Sequence, residues 1–359
     1  MKLKALSLLL VAVLVCAAPL KAQRIMVGAE RTDLYLDLLK GKRVAVVANH
    51  TSLIGSTHLV DTLVASNIMV KKIFCPEHGF RGTAAAGERI GNSTDEKTGI
   101  AIVSLYGSNK KPSPQQMADV DVMLFDLQDV GCRFYTYIST LHYVMEACAL
   151  RGIPLIVLDR PNPNGHYVDG PVMEREYCSF VGIRAGTPIV YGMTIGEYAG
   201  LISSELPPPT KGYKLEVVPL LNYTHDSIYH LPVPPSPALQ TAQAIALYPS
   251  LCLFEGTSIS VGRGTEHPFE IIGNDYKMDL RSVKPTPYIE LKYLREMLAN
   301  SDHETFFLKN NFFEKLAGNG RLRQQLLEGA SDEEIRQSWQ PELDNFKLVR
   351  SQFLLYPEH

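Results

Sequence analysis

No Cys-x-x-Cys pair occurs in the 359 residues, and the six cysteines are far apart. That argues against a zinc site or a redox dithiol. The odd five left beyond Cys16 argue against a disulfide framework. Cys75, Cys132, Cys148, Cys178 and Cys252 lie mostly in apolar runs and read as buried small hydrophobes. HExxH, Walker A and GxSxG sequences are absent, which disfavours a zinc peptidase, a P-loop enzyme and a serine hydrolase. There is no internal repeat and no low-complexity tract. An excess of positive charge is also missing. The net charge of −3 argues against nucleic acid as a partner, because phosphate binding wants clustered Lys and Arg.

What the chain does have begins at its start. Lys2 and Lys4 precede an almost wholly apolar run from Ala5 to Leu20, and Ala22 offers a small residue for cleavage before Gln23. This is the pattern of a secretory signal peptide over residues 1–22. The run is short of the roughly 20 residues that span a bilayer, and no other stretch is apolar enough. Cys16 invites a lipoprotein reading, but Val15 stands where a lipoprotein signal has a small residue. The expected product is an exported, periplasmic protein of residues 23–359.

The following half alternates apolar runs with helical patterns. Strands are expected over Arg43–Ala48, Met69–Cys75, Ala101–Leu105, Asp121–Leu127, Pro154–Asp159 and Tyr213–Pro219. Helices are expected over Thr57–Ser66, Thr136–Leu150 and Thr194–Glu205. Strands apolar on both faces, interleaved with helices, predict an α/β fold with a mostly parallel, doubly wound sheet. The Pro-rich stretch Leu231–Pro237 reads as a connection. Helical patterns follow over Pro285–Asn300, Arg321–Glu328, Asp332–Gln340 and Leu343–Leu355. The expected division is 23–225 and 226–359, the second part being smaller and mixed.

Ligands of such sheets bind beyond the carboxyl ends of the strands. Four strand ends deliver polar groups there: Asn49-His50-Thr51-Ser52, Pro76-Glu77-His78-Gly79-Phe80-Arg81-Gly82, Asp126 to Asp129 with Arg133, and Asp159 to Gly165 with Arg160, Asn162 and Asn164. Glu77 is the sharpest candidate. Pro76 stiffens the backbone before it, and glycines permit tight turns after it. Desolvation beside an apolar strand would raise its pKa and suit a general acid. The alternative is a structural pair with Arg81. His78 either contacts substrate or packs the loop. Asp126 and Asp129 are bases, sugar-hydroxyl acceptors or helix caps. Glu255, in the Gly-rich region that includes Gly262-Arg263-Gly264, is a further carboxylate. Gly262-x-Gly264 has no strand–GxGxxG–helix context, so it is no dinucleotide signature.

Several of these segments resemble, in order, those of the NamZ family of exo-β-N-acetylmuramidases. They are Phe74-Cys75-Pro76-Glu77-His78-Gly79-Phe80-Arg81-Gly82, Leu105-Tyr106-Gly107, Phe125 to Gly131 with Arg133-Phe134-Tyr135-Thr136-Tyr137, Asp159 to Gly165, Tyr191-Gly192-Met193-Thr194 with Gly196-Glu197, and Glu255-Gly256-Thr257. The resemblance implies a Rossmann-like domain, a smaller C-terminal domain and a cleft between them. It also implies release of N-acetylmuramic acid from the non-reducing end of peptidoglycan fragments, with Glu77 at the catalytic position. Glycoside cleavage uses two carboxyl groups around an oxocarbenium-like transition state, so Asp126 and Glu255 lead as the second group, ahead of Asp129. The lactyl carboxylate of the sugar suits Arg81, Arg133, Arg160 or Arg263. Phe80, Tyr106, Phe134 or Tyr135 suit its ring as a stacking wall. Asn49, His78, Asp129, Tyr135, Asn162 and Asn164 complete the expected substrate contacts. No metal and no organic cofactor is required. The rivals are a non-catalytic muropeptide-binding protein and a nucleotide- or cofactor-dependent enzyme.

Mass spectrometry of the protein from its native envelope is expected to show a mature start at Gln23 without lipid. A mature chain beginning at a lipid-modified Cys16 would overturn that expectation.

Overall fold

The computed structural model describes residues 24–77, 79–81 and 93–359. The expected signal peptide at 1–22, with Cys16, and His78 lie outside the described residues. Strands β1 (Arg43–Ala48), β2 (Met69–Cys75), β3 (Ser93–Thr94), β4 (Ala101–Ser104), β5 (Val122–Asp126) and β6 (Leu155–Leu158) belong to one sheet. A hairpin of β7 (Asp169–Val172) and β8 (Pro188–Val190) follows, then β9 (Leu215–Val218) closes the far edge of that sheet. The order across the sheet is β9-β6-β5-β1-β2-β4-β3. All neighbours run parallel except β3, which is antiparallel to β4.

The chain steps one way from β1 to β2 to β4, then returns to the other side of β1 for β5, β6 and β9. Those six strands therefore have the Rossmann order, with its switch point between β1 and β5. Alternate side chains explain why the strands are apolar throughout. Ala45 and Val47 of β1 face one core together with Phe74, Phe125 and Val157. Val44, Val46 and Ala48 face the other, with Ile73, Leu124 and Ile156. Both faces of the sheet are covered, as parallel sheets require.

Helix α1 (Leu59–Ala65) covers the second face. On the first face lie α2 (Tyr137–Arg151) and α3 (Ile195–Glu205). Gly152, at φ 64°, ends α2 in the left-handed conformation that glycine adopts without steric cost. Thr194 caps α3, its hydroxyl accepting from the Glu197 N–H while Glu197 reaches back to the Thr194 N–H.

The later part adds α4 (Ala242–Leu251), a small hairpin of β10 (Ile271–Gly273) and β11 (Lys277–Asp279), and helices α5 (Lys292–Ala299), α6 (Phe312–Ala317), α7 (Arg321–Leu327) and α8 (Asp332–Arg350). Helix α4 carries no helical period, because it is apolar nearly all round. The expected helix over Pro285–Asn300 starts only at Lys292. The two helices expected at Asp332–Gln340 and Leu343–Leu355 are one. Ile335, Trp339, Leu343, Phe346 and Arg350 form an unbroken buried stripe through Pro341. Burial of that stripe outweighs the hydrogen bond that proline removes.

Two contacts weld the later part to the sheet. The Arg133 guanidinium is wholly buried and has no carboxylate partner among the described residues. It donates instead to the carbonyls of Pro171 (3.2 Å), Thr187 (2.6 Å), Leu316 (2.6 Å) and Ala317 (2.9 Å). The last two end α6, where carbonyl dipoles favour a cation. The C-terminal tail, in turn, comes back to the strand edge. Glu197 accepts the Leu355 N–H at 2.8 Å, and Asp159, at the end of β6, accepts the Tyr356 hydroxyl at 2.5 Å. Tyr356 also accepts the Leu220 N–H at 2.9 Å.

Tyr356→Phe removes one donor and one acceptor from buried partners. It should cost roughly 1–3 kcal/mol, read as a lower urea midpoint at unchanged slope. An unchanged midpoint would show that the tail anchor contributes nothing.

Candidate active site

Beyond the carboxyl ends of β2 and β4 lies a cavity of about 410 Å³. Its walls come from both halves of the chain. Glu77 follows β2 directly after Pro76, and Gly79 turns the chain at φ 78°. The Leu105 N–H donates to the Cys75 carbonyl at 2.7 Å, carrying the β2–β4 pairing one residue further. That places Tyr106 beside Glu77 in the cavity wall. Burial, then the negative charge of Glu77, pushes the Tyr106 pKa up to about 12, so the phenol keeps its proton.

The loop after β5 supplies Phe134 and Tyr135, and the first turn of α2 supplies Tyr137. Its tight turn requires Gly131, at φ 73°, because a Cβ there would sit 2.0 Å from the Asn162 amide oxygen. Tyr248 of α4 closes the wall, its ring 6.1 Å from Phe134 and 6.3 Å from Tyr135 between centroids. The 3₁₀ turn after α4 presents Glu255, which pairs with Arg263. The Arg263 guanidinium also lies 5.1 Å from the Phe269 ring centroid. The strap after Leu231 forms the remaining side. It is held by His50 Nε2, 2.8 Å from the Pro234 carbonyl, and by the Tyr135 hydroxyl, which donates to the Pro235 carbonyl at 2.7 Å.

Glu77, Glu255, Tyr135 and Arg263 thus meet in one cavity, with Tyr106 and Phe134. The other expected site residues among the described ones do not line it. Asp126 is locked to Arg160, with Oδ1–Nε 2.5 Å and Oδ2–Nη2 2.9 Å. Both side chains are out of water, and neither has charge to spare for a substrate. Arg81 is committed to Asp95 at 2.9 Å and Asp61 at 3.3 Å. Arg133 is the carbonyl clasp described above. Asn49 accepts from Thr51 through Oδ1 and donates to the Tyr137 hydroxyl at 2.8 Å, so any effect on the cavity passes through Tyr137. Asn162 donates to the Met193 carbonyl, and Asn164 to those of Val130 and Ile245. Both tie loops together. Phe80 packs edge-on against His58 in the other core.

Asp129 is buried, with Oδ2 accepting the Gly131 N–H at 2.6 Å and the Tyr191 hydroxyl, and Oδ1 unpartnered among the described residues. Burial pushes its pKa up to about 7, against those two hydrogen bonds. Sequence reasoning missed Tyr137 and Tyr248 as cavity residues. Tyr248 sits in the helix that has no readable period. A larger groove of about 740 Å³ lies across the strap, lined by Pro163, His166, Tyr229 and α4. Its single carboxylate, Asp226, has no acidic or arginine partner in the lining, so the chemistry gathers in the smaller cavity.

The chain resembles known proteins over nearly its whole described length. A family model described as exo-beta-N-acetylmuramidase NamZ, N-terminal, matches residues 44–243, and its C-terminal counterpart matches 246–285 and 277–356. The peptidoglycan beta-N-acetylmuramidase NamZ of Bacillus subtilis (strain 168) is 38% identical over 374 residues, covering 90% of this chain and 89% of that protein. Two crystal structures of DUF1343 family proteins from Bacteroides fragilis NCTC 9343 superimpose on it. One has a TM-score of 0.84 at 39% identity, covering 94% of this chain and 100% of the other. The second has a TM-score of 0.80 at 27% identity, covering 93% and 99%.

The raised pKa of Asp129 fixes a direction of pH dependence. A carboxyl raised on folding contributes most stability below its unfolded pKa of about 4 and loses it as pH rises through 7. Asp129→Asn keeps an oxygen for Tyr191 and Gly131 but cannot ionise. The difference in melting temperature, variant minus parent, should therefore grow in favour of the variant between pH 5 and pH 8. A difference that is flat with pH would remove Asp129 from this role.

Proposed function

The chain belongs to the exo-β-N-acetylmuramidase NamZ family, and from that premise we propose that it hydrolyses the bond linking a terminal N-acetylmuramic acid to the rest of a peptidoglycan fragment. The substrates are muropeptides or glycan fragments ending in that sugar, the MurNAc-GlcNAc disaccharide being the smallest. The charged and apolar leader supports a periplasmic location, where such fragments arise.

The observation that carries this reading is Glu77, held on a Pro- and Gly-constrained turn beside Tyr106, in an aromatic-walled cavity at the strand ends. Glycoside cleavage needs a proton on the leaving oxygen as the C–O bond breaks. Glu77 supplies that proton. Tyr135, Phe134 and Tyr248 give the sugar an apolar wall. Water then adds its hydroxyl to the anomeric carbon, the proton it releases replaces the one Glu77 gave to the leaving oxygen, and the products are the free muramic sugar and a fragment shortened by one residue.

Glu77→Gln keeps the shape of the side chain and removes its acid. General acid catalysis contributes about 10²–10⁴-fold, so kcat on the natural disaccharide should fall at least about a hundredfold. An aryl glycoside with a good leaving group needs little protonation and should be slowed less. Equal losses on both substrates would make Glu77 a nucleophile, base or binding residue. Near-normal activity of a folded Glu77→Gln protein would refute the assignment. A parent protein that binds muropeptides and turns over neither substrate would be a binding protein instead.

A further inference from the structure

Arg263 is the only basic side chain lining the cavity among the described residues. Its Nε donates to Glu255 Oε1, and its guanidinium lies over Phe269. Nη1 and Nη2 have no hydrogen-bond partner among the described residues. Arg263 is therefore anchored along one edge and open at the end of its fork. About two-fifths of its side chain is exposed (41%), against 20% for Glu255. Glu255 is engaged at both oxygens, since Oε2 accepts the Cys252 thiol at 3.7 Å.

A guanidinium held in this way suits a planar anion. With Nε occupied, the free face is the Nη1–Nη2 end, whose two N–H groups match the two oxygens of a carboxylate. We propose that Arg263 receives the lactyl carboxylate of the substrate through Nη1 and Nη2, and that Glu255 is a positioning residue that fixes the plane of the guanidinium rather than the second catalytic carboxyl. The proposal rests on the muramidase reading above and adds to it the residue that distinguishes a muramide from a glucosaminide, two sugars that differ by the lactyl ether.

The test compares kcat/KM on an aryl N-acetylmuramide and the matching aryl N-acetylglucosaminide. The parent should prefer the muramide. In Arg263→Met the ratio should fall by about ten- to a hundredfold, the loss of charge-assisted hydrogen bonds. Arg263→Lys keeps the charge without the fork and should recover only part of the ratio; it also replaces the Met variant if that one fails to fold. Glu255→Ala should lower the ratio chiefly through the KM for the muramide, because the guanidinium loses its anchor. Glu255→Gln keeps an oxygen for Nε and should restore the ratio. Two results would overturn the proposal: an unchanged ratio in both Arg263 variants, or a Glu255→Gln protein slowed at least a hundredfold on both substrates alike. A parent that cleaves both sugars equally well also overturns it and leaves the glycosidase reading standing. A parent that cleaves neither defeats the muramidase reading itself.

Discussion

The Asp126–Arg160 pair decides where this fold can work. It lies beyond β5 and β6, beside the switch point where a doubly wound sheet ordinarily opens a crevice for its ligand. Here that crevice is filled. Arg160 also donates to the Leu53 carbonyl at 3.1 Å, Ser52 donates to the Asp126 carbonyl at 2.5 Å, and the Thr51 hydroxyl accepts the Gln128 N–H at 3.2 Å. Two charges removed from water are tolerable only because each is matched and hydrogen-bonded. The polar plug excludes a nucleotide from the usual place and leaves the ends of β2 and β4 as the open part of the edge. Glu77 and Tyr106 sit there.

The cavity also depends on the later half of the chain. Glu255, Arg263, Tyr248, Phe312 and Leu316 complete walls that the sheet alone does not supply. Arg133 makes that arrangement rigid, because the carbonyls it holds belong both to the β7–β8 hairpin region and to the end of α6, which carries two of those lining residues. A helix of six residues has little stability of its own. Its position follows from the guanidinium at its carboxyl end and from the close approach at Gly256, where a Cβ would stand 2.4 Å from the Phe313 Cα.

The strands were the most legible part of the sequence, because burial on both faces makes each a short continuous apolar run between turn residues. Helix α4 was illegible for the same reason turned round: an apolar helix has no polar face to reveal its period. Pro341 misled by marking a break that packing overrides. In the site, Glu77 was readable from the proline and glycines around it, and Glu255 and Arg263 from their glycine-rich setting. Asp126, Arg160, Arg133, Asn49, Asn162 and Asn164 stand in equally polar strand-end loops, yet they serve the protein's own buried carbonyls, amides and charges. A chain reading supplies neighbours along the backbone. Whether an arginine meets a distant aspartate, four carbonyls or open space depends on pairings 34 to 184 residues apart.

The return of the tail to the sheet has a consequence for the order in which the molecule is made. Asp159 directly follows an early strand, but one of its donors, the Tyr356 hydroxyl, is synthesised almost 200 residues later. A ribosome working at about 5–20 residues per second therefore releases the entire sheet well before its carboxyl edge has its partner. The carboxyl edge beside β6 is therefore completed only when the last residues of the chain have emerged, although Arg160, Thr194 and Gly196 already donate to the same carboxylate.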